Sequence, residues 1–488
     1  MFLKQTKRDG RVYLSVVQNY REDGRVRSKT VESLGYVDEL ARQFPNPVEH
    51  FKNYVADLNR QREVEAQPVR LTIPRNAHIA PEGADAVSLG AALCIAYLDV
   101  LDAGAFFGSK PTGRIFELLA AARMMHAVPM HQTWNDRSKF PRRCGDDYIQ
   151  AYQALSRIAD EAQGFVAHLN RRYETLRQRR GLDNVRLVFS NYTFDWPARG
   201  QQGGPDESAR SQQGRFCIAI DSRGIPLTYR VVAHDLSAQQ MRALADDVKA
   251  ETEARKITLV AAQVPNAHEV MQELTASDNG FVLLLPAKEA SSQLNEWVCG
   301  NEGYRPANNR SFLLKARTSS HQLAGKGNAI PCKEIAFKGA GAHQNEAFCI
   351  ISSETQLSDA SIFNIYRELW RVHEPFQIMT ADFISAPLAV DTRIHLEAHF
   401  CLCYAAFFAL RMMREDMNWQ FNAASVADAL LRMEGAYLDE NWFLFNYRTE
   451  VTDAVQAACG VDQARRIMSR DDIRRAIAQA KRAIARPH

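Results

Sequence analysis

The alternation of apolar and polar residues changes period several times along the chain, and each change marks an expected element. Val12-Tyr-Leu-Ser-Val-Val and Val26-Arg-Ser-Lys-Thr-Val are β-branched and alternate, with Arg21-Glu-Asp-Gly between them as a turn. That pattern predicts an N-terminal β hairpin. Residues 38–65 read as helical, interrupted at Pro45 and Pro47. Apolar residues then recur at helical spacing over Leu89–Leu101, Gly113–His126 and a long amphipathic segment from Asp147 to Arg179.

At Val185 the pattern turns to strands. Val185–Phe194 is a strand by composition, and Phe216–Asp221 with Ile225–Val232 reads as a hairpin turning at Ser222-Arg-Gly. Ser237–Arg255 is helical, Ile257–Ala262 a buried strand, Ala267–Leu274 a helix and Phe281–Pro286 a second buried strand. Residues 288–345 are rich in Gly and Asn and read as a β-rich insertion. Phe348–Ser353 is a strand, Leu357–Ile378 a helix, and residues 388–488 are mostly helical. Mixed strands with helices on both sides predict an α/β fold with helical flanking domains. The expected divisions are 1–75, a basic hairpin with a helical arm; 76–182, a helical DNA-binding or dimerisation domain; 183–400, the mixed-sheet core; and 401–488, a C-terminal helical domain.

Composition narrows the class. With 488 residues, 46% of them hydrophobic and 24% charged, the chain has enough apolar surface for two to four packed units. Its longest apolar runs, Phe400–Leu410 and Phe281–Ala287, fall short of a membrane span and read as core, and the first residues lack the apolar stretch of a signal peptide. Nine scattered cysteines without a Cys-x-x-Cys pair predict free thiols in a reducing, cytoplasmic setting.

The net charge is only +3, so its distribution matters more than its sum. Residues 1–30 hold eight Lys or Arg against three acids, residues 461–488 hold eight against three Asp, and Arg171, Arg172, Arg177, Arg179 and Arg180 form a third cluster. Such clusters are either solvated faces or sites that neutralise backbone phosphates. Lys7, Arg8, Arg11, Arg25, Arg27 and Lys29 in the hairpin, and Arg474 and Arg475 in a C-terminal amphipathic helix expected over Gln463–Arg486, are the candidate DNA-binding residues. The hairpin has the stronger claim, because a two-stranded ribbon fits a major groove and Tyr13 and Tyr20 lie among its cations.

Four stretches carry a resemblance. They are Tyr13-Leu-x-Val-Val-x-Asn-Tyr-Arg with Gly24-Arg-Val-Arg and Leu34-Gly-Tyr-Val-Asp-Glu-Leu; the hairpin Ile220-Asp-Ser-Arg-Gly-Ile-Pro-Leu-Thr-Tyr; Phe348–Ser353 with Ile365-Tyr-Arg-Glu-Leu-Trp-Arg-Val-His-Glu-Pro-Phe; and His395-Leu-Glu-Ala-His-Phe-Cys-Leu-Cys. In order and spacing they resemble a bacterial insertion-sequence DDE transposase of the Tyr–Arg–Glu–Lys signature branch, over roughly residues 1–412. The resemblance implies an RNase H-like core in which two Asp and one Glu hold two Mg²⁺ ions for phosphodiester cleavage and strand transfer. It also implies double-stranded DNA as partner, a homodimer as candidate assembly, no membrane partner, and a nucleoid-associated place in a bacterial cytoplasm.

Carried over residue by residue, the triad fails. Its three positions fall at Asn191, Ala262 and His373, which supply no carboxylate. The signature Arg and Lys fall at Leu369 and Thr380, whereas Tyr366 and Trp370 still match. No bound metal cofactor and no strand cleavage are therefore expected. The favoured expectation is a transposase-derived DNA-binding protein in a regulatory or host-adopted role. One alternative is an active transposase using displaced acids such as Asp195 or Glu374; the other is a protein-interaction module without DNA binding. His395, His399 and Cys403 share one helix face and could in principle ligate a metal, but packing is the simpler reading.

Overall fold

The computed structural model describes residues 1–8, 10–22, 25–42, 44–66, 86–108, 110–126, 128–145, 147–179, 182–190, 193–197, 211–262, 264–285, 290–307, 312–321, 329–339, 347–373, 392–438, 441–462 and 464–486, with the backbone alone at 8, 20–22, 25–26, 60–66, 110, 195–197, 211–212, 368–373 and 392. The chain divides into two compact units, Met1–His78 and Ile79–His488.

In the first unit the expected hairpin gains a third strand. β1 (Phe2–Arg8), β2 (Arg11–Glu22) and β3 (Arg25–Tyr36) form an antiparallel sheet in that order. The added strand was hard to read because Phe2 and Leu3 are its only large apolar residues, yet Leu3 sits opposite buried Val16. Two irregularities in the β2–β3 register, at Leu14/Ser15 and Val16/Val17, twist the pair. The short helix α1 (Val37–Leu40) follows, and α2 (Pro47–Ala66) begins with proline at its first position. Asn46 caps α2 by accepting from the Glu49 amide at 3.4 Å. Leu14, Val16, Val17 and Val55 form the buried centre of this unit.

The second unit opens with β4 (Ala86–Ser88) and six helices: α3 (Leu89–Val100), α4 (Ala103–Phe106), α5 (Lys110–Met125), α6 (Met130–Asn135), α7 (Tyr148–Asp160) and α8 (Ala162–Leu176). The segment expected as one helix from Asp147 to Arg179 is thus two, because Glu161 leaves helical geometry (φ −96°, ψ 3°). The mixed sheet follows: β5 (Val185–Phe189), β6 (Phe194–Pro197), β7 (Ser211–Ile220), β8 (Pro226–Ala233), α9 (Ala238–Thr252), β9 (Ile257–Ala261), α10 (Ala267–Ala276) and β10 (Gly280–Leu285). The single strand expected over Val185–Phe194 is interrupted between Phe189 and Phe194. Next come α11 (Ser292–Cys299), β11 (Arg305–Pro306), β12 (Phe312–His321), β13 (Ile330–Gly339), β14 (Ala347–Ser352) and α12 (Asp359–His373). The expected continuation of α12 to Ile378 lies outside the described residues.

The fold class is the mixed α/β arrangement anticipated. Five core strands run in the order β8-β7-β5-β9-β10, with β5, β9 and β10 parallel and β7 antiparallel to β5 and β8, and β6 pairs antiparallel with the start of β7. That is an RNase H-like order. β14, β13, β12 and β11 extend the sheet beyond β10, all antiparallel, and carry the insertion. Side chains alternate between two cores, as the pleat requires. Val188, Phe216, Ile218, Val260 and Ile350 join a large core with α3, α5, α7 and α8, whereas Leu187, Phe189, Cys217, Leu259 and Leu283 pack against α9, α10 and α11. Burial on both faces explains why these strands read as continuous apolar runs.

The C-terminal part is α13 (Thr392–Asp416), α14 (Ala423–Arg432), β15 (Glu434–Tyr437), β16 (Trp442–Phe445), α15 (Glu450–Cys459), β17 (Ile467–Ser469) and α16 (Arg470–Ile484). It is less purely helical than expected, because β17, β16, β15 and β4 form a small antiparallel sheet. The last helix starts at Arg470, not near Gln463, since Ser469 caps it by accepting from the Asp472 amide at 3.1 Å. Among the described residues, the stretch Arg393–Asp416 of α13 is long and apolar enough to cross a membrane by composition, contrary to the reading of short apolar runs, but its apolar window is almost wholly buried inside the fold.

Candidate catalytic end of the sheet and basic surfaces

β5 and β9 are parallel neighbours, with Val188 opposite Val260, so Ser190 and Ala262 finish the two strands side by side. Ala262 is a buried methyl in the larger core. α12 approaches the same end. Its start is fixed near the beginning of β10, where Lys333 meets Asp359 at 3.1 Å and is paired with Ser352, itself opposite Val282. Phe363 and Tyr366 then pack on Phe337, whose strand partner Phe348 lies past the end of β10. The helix therefore runs towards the end of the sheet that Ser190 and Ala262 occupy, and His373 is its last residue. Asn191 lies outside the described residues, as do the side chains of His373, Trp370 and Leu369 and all of Glu374, Pro375 and Thr380. Tyr366 is buried, and burial pushes its phenol well above the usual range.

A residue not anticipated from the sequence stands at this end. Arg215, on β7, is 1% exposed and donates from Nε and Nη2 to the Ser190 carbonyl at 3.2 and 2.7 Å. Its guanidinium lies 5.5 Å from the Phe189 ring centre. Ser190 is held further by its amide, which donates to the Phe216 carbonyl at 2.7 Å, and by its hydroxyl, which accepts from the Phe216 amide at 3.1 Å. Burial lowers the Arg215 pKa, but a guanidinium remains a cation at any physiological pH. The signal was a single charge inside the apolar run Phe216–Ile220 and its approach.

A pair of Mg²⁺ ions needs several anionic oxygens. Among the described residues here, the Ala262 side chain offers none. Among the described residues no group of three or more His, Cys, Asp or Glu is placed to hold a metal ion. The described part of this end does not fit a two-metal centre. Of the substitutes weighed, Asp195 belongs to β6, where it pairs with Gln213, and Glu374 lies outside the described residues.

Acids are plentiful at the opposite end of the sheet. Asp221, 1% exposed, makes the β7–β8 turn by accepting from the Arg223 and Ile225 amides at 3.0 and 2.9 Å. Arg179 lies 3.5 Å from its other oxygen, while burial raises its pKa. Glu415 accepts from the Tyr173 hydroxyl at 2.8 Å and pairs with Arg223. Asp416 pairs with Arg177 at 2.9 Å and accepts from Tyr97 at 2.9 Å. These carboxylates hold helix ends and a turn.

His395, His399 and Cys403 are buried on α13. His399 Nδ1 is 3.3 Å from an Arg123 nitrogen and its Nε2 is 3.5 Å from the Cys403 sulfur. With Arg123 as an obligate donor, His399 Nδ1 is an acceptor, which leaves no lone pair on that nitrogen for a metal.

The basic residues fall into different settings. Arg11 is held by Asp38 and Glu39, each at 2.7 Å, and lies 4.0 Å over the Tyr36 ring. Arg474 and Arg475 pair with Asp471 and Asp472 one turn earlier, at 3.0 and 2.5 Å. Lys7, Arg27 and Lys29 are exposed, whereas the side chains of Arg8 and Arg25 lie outside the described residues. Lys7 through Lys29 belong to the first unit, Arg474 and Arg475 to the second.

Residues 3–69 match a family model described as IS1634 family transposase, N-terminal domain. The match supports a transposase-derived chain and covers the three-stranded sheet and its helices. No curated protein matches the chain.

Proposed function

We propose that this is a transposase-derived protein that binds double-stranded DNA and does not cut it, in a regulatory or host-adopted role on a bacterial chromosome. The observation that carries the proposal is a pairing of two facts. The segment resembling an IS1634 transposase N-terminal domain presents exposed cations, and position 262, at the strand end where such chemistry would sit, is a buried alanine whose side chain has no ligating oxygen. DNA recognition needs only cations and shape, so it survives changes that metal-dependent cleavage does not. Mg²⁺ would supply the nucleophile and steady the leaving oxygen in an active relative, and no step of that kind is assigned to this chain. A second copy of the chain is the candidate assembly partner.

The test reads binding and cleavage together. Duplex DNA from the borders of the protein's own gene is titrated at several salt concentrations, with and without Mg²⁺ or Mn²⁺. The expected result is salt-sensitive binding with intact product strands. Loss of all DNA affinity at low salt contradicts the first half of the proposal, and metal-dependent nicking contradicts the second.

A further inference from the structure

The end of the first unit's sheet has an unusual outline. Among the described residues, β1 pairs with β2 from Arg8 opposite Arg11 to Phe2 opposite Val17, and past Val17 β2 pairs with β3. Five further pairs, from Gln18 opposite Lys29 to Glu22 opposite Arg25, continue as a two-stranded ribbon. Residues 27–31 of β3, which alternate between the two faces, are all exposed. A two-stranded ribbon exposed in this way gains little from the hydrophobic effect, so its folding is not its own reward.

The strand period sorts its residues. Paired positions share a face, so Gln18, Tyr20 and Glu22 of β2 lie on one face with Lys29, Arg27 and Arg25 of β3. Asn19, Arg21, Val26 and Ser28 occupy the other, where Ser28 donates to Asn19 at 2.7 Å. The first face holds three cations to one acid. Its five pairs reach roughly 15 Å at ~3.3 Å per residue, enough to enter a B-DNA major groove about 12 Å wide and ~8.5 Å deep.

We propose that this ribbon is the groove-entering arm of the protein, inserting into the major groove of B-form DNA with the face of Gln18, Tyr20, Arg25, Arg27 and Lys29 towards the base edges. The inference rests on the DNA-binding reading above and adds the element, its face and the groove. Partner choice follows from shape: A-form RNA has a deep, narrow major groove that such an arm does not enter.

The experiment compares a DNA duplex and an RNA duplex of the same sequence by fluorescence anisotropy, with the full chain and two variants. The parent is expected to bind DNA about tenfold or more tightly than RNA. Arg25→Ala/Arg27→Ala/Lys29→Ala should lose most of that preference and lower the log–log salt slope, by ~0.9 for each of the three cations that also neutralises a phosphate lining the groove. Asn19→Ala/Ser28→Ala, on the other face, should keep both. Asn19, Arg27, Ser28 and Lys29 are exposed, and circular dichroism checks that the variants are folded. Equal affinity of the parent for DNA and RNA, or a triple variant with unchanged affinity and slope, overturns the arm while leaving DNA binding itself standing; no binding to either duplex overturns the underlying reading.

Discussion

The two ends of one sheet treat buried charge in opposite ways. At the end formed by the β7–β8 turn, Asp221, Glu415 and Asp416 are each met by an arginine and by hydrogen-bond donors. At the end where β5 and β9 finish, the buried Arg215 guanidinium donates to the Ser190 carbonyl, and Ala262, just past β9, is a buried methyl. The first arrangement is what a fold needs to close a turn and seat helix ends. The second gathers, among the described residues, no group of three or more acids, histidines or cysteines placed to hold a metal ion. The contrast teaches that the described buried carboxylates at the β7–β8 end stand where they hold structure.

The largest effect should come from breaking the structural end. Arg177→Met strands the Asp416 carboxylate, whose side chain is 1% exposed, and should cost about 3–5 kcal/mol in denaturant unfolding. A cost near zero would mean that this end is not the electrostatic anchor described.

Glu334 in the insertion extends the same logic to pH. It is a buried carboxylate ringed by His321 at 2.8 Å, Arg317 at 2.5 Å and Ser319 at 2.9 Å. Burial opposes its ionisation, but these hydrogen bonds and the Arg317 charge outweigh that and hold its pKa down to about 2 against an ordinary 4.5. A depressed carboxylate stabilises the fold above its unfolded value, and that contribution is lost as pH falls from about 4.5 through about 2. It should amount to about 3 kcal/mol at most. Glu334→Gln should lower stability at neutral pH and flatten that acid limb; an unchanged limb would assign it to other groups.

Arg215→Met should have the smallest effect, about 1 kcal/mol, because relief from burying a cation offsets the loss of its hydrogen bonds to the Ser190 carbonyl. A loss as large as that of Arg177→Met would erase the distinction between the two ends.

Much of this was legible in the chain. The β7–β8 hairpin, β9, β10 and the helices between them announce themselves through periodicity, because both faces of the sheet are buried and apolar runs are unbroken. β4 and β15 were not legible, since Ala86–Ser88 and Glu434–Ala436 are short strands stabilised by each other across a long sequence separation. β1 hid behind its polar composition as an edge strand. The break at Glu161 hid inside an amphipathic pattern that continues across it. At the candidate catalytic end, Ala262 was identified from motif alignment, but Arg215 was not, because a charge in a strand reads as solvent-facing unless the pairing that buries it is known.

Strand cleavage is the most direct test. A supercoiled plasmid carrying the borders of the protein's own gene is incubated with the purified chain and Mg²⁺ or Mn²⁺, and nicked and linear products are measured over many hours. The account predicts a bound but uncut plasmid at every metal concentration. Metal-dependent nicking that disappears in Asp195→Ala or Glu374→Ala would contradict it and place a working site on displaced carboxylates.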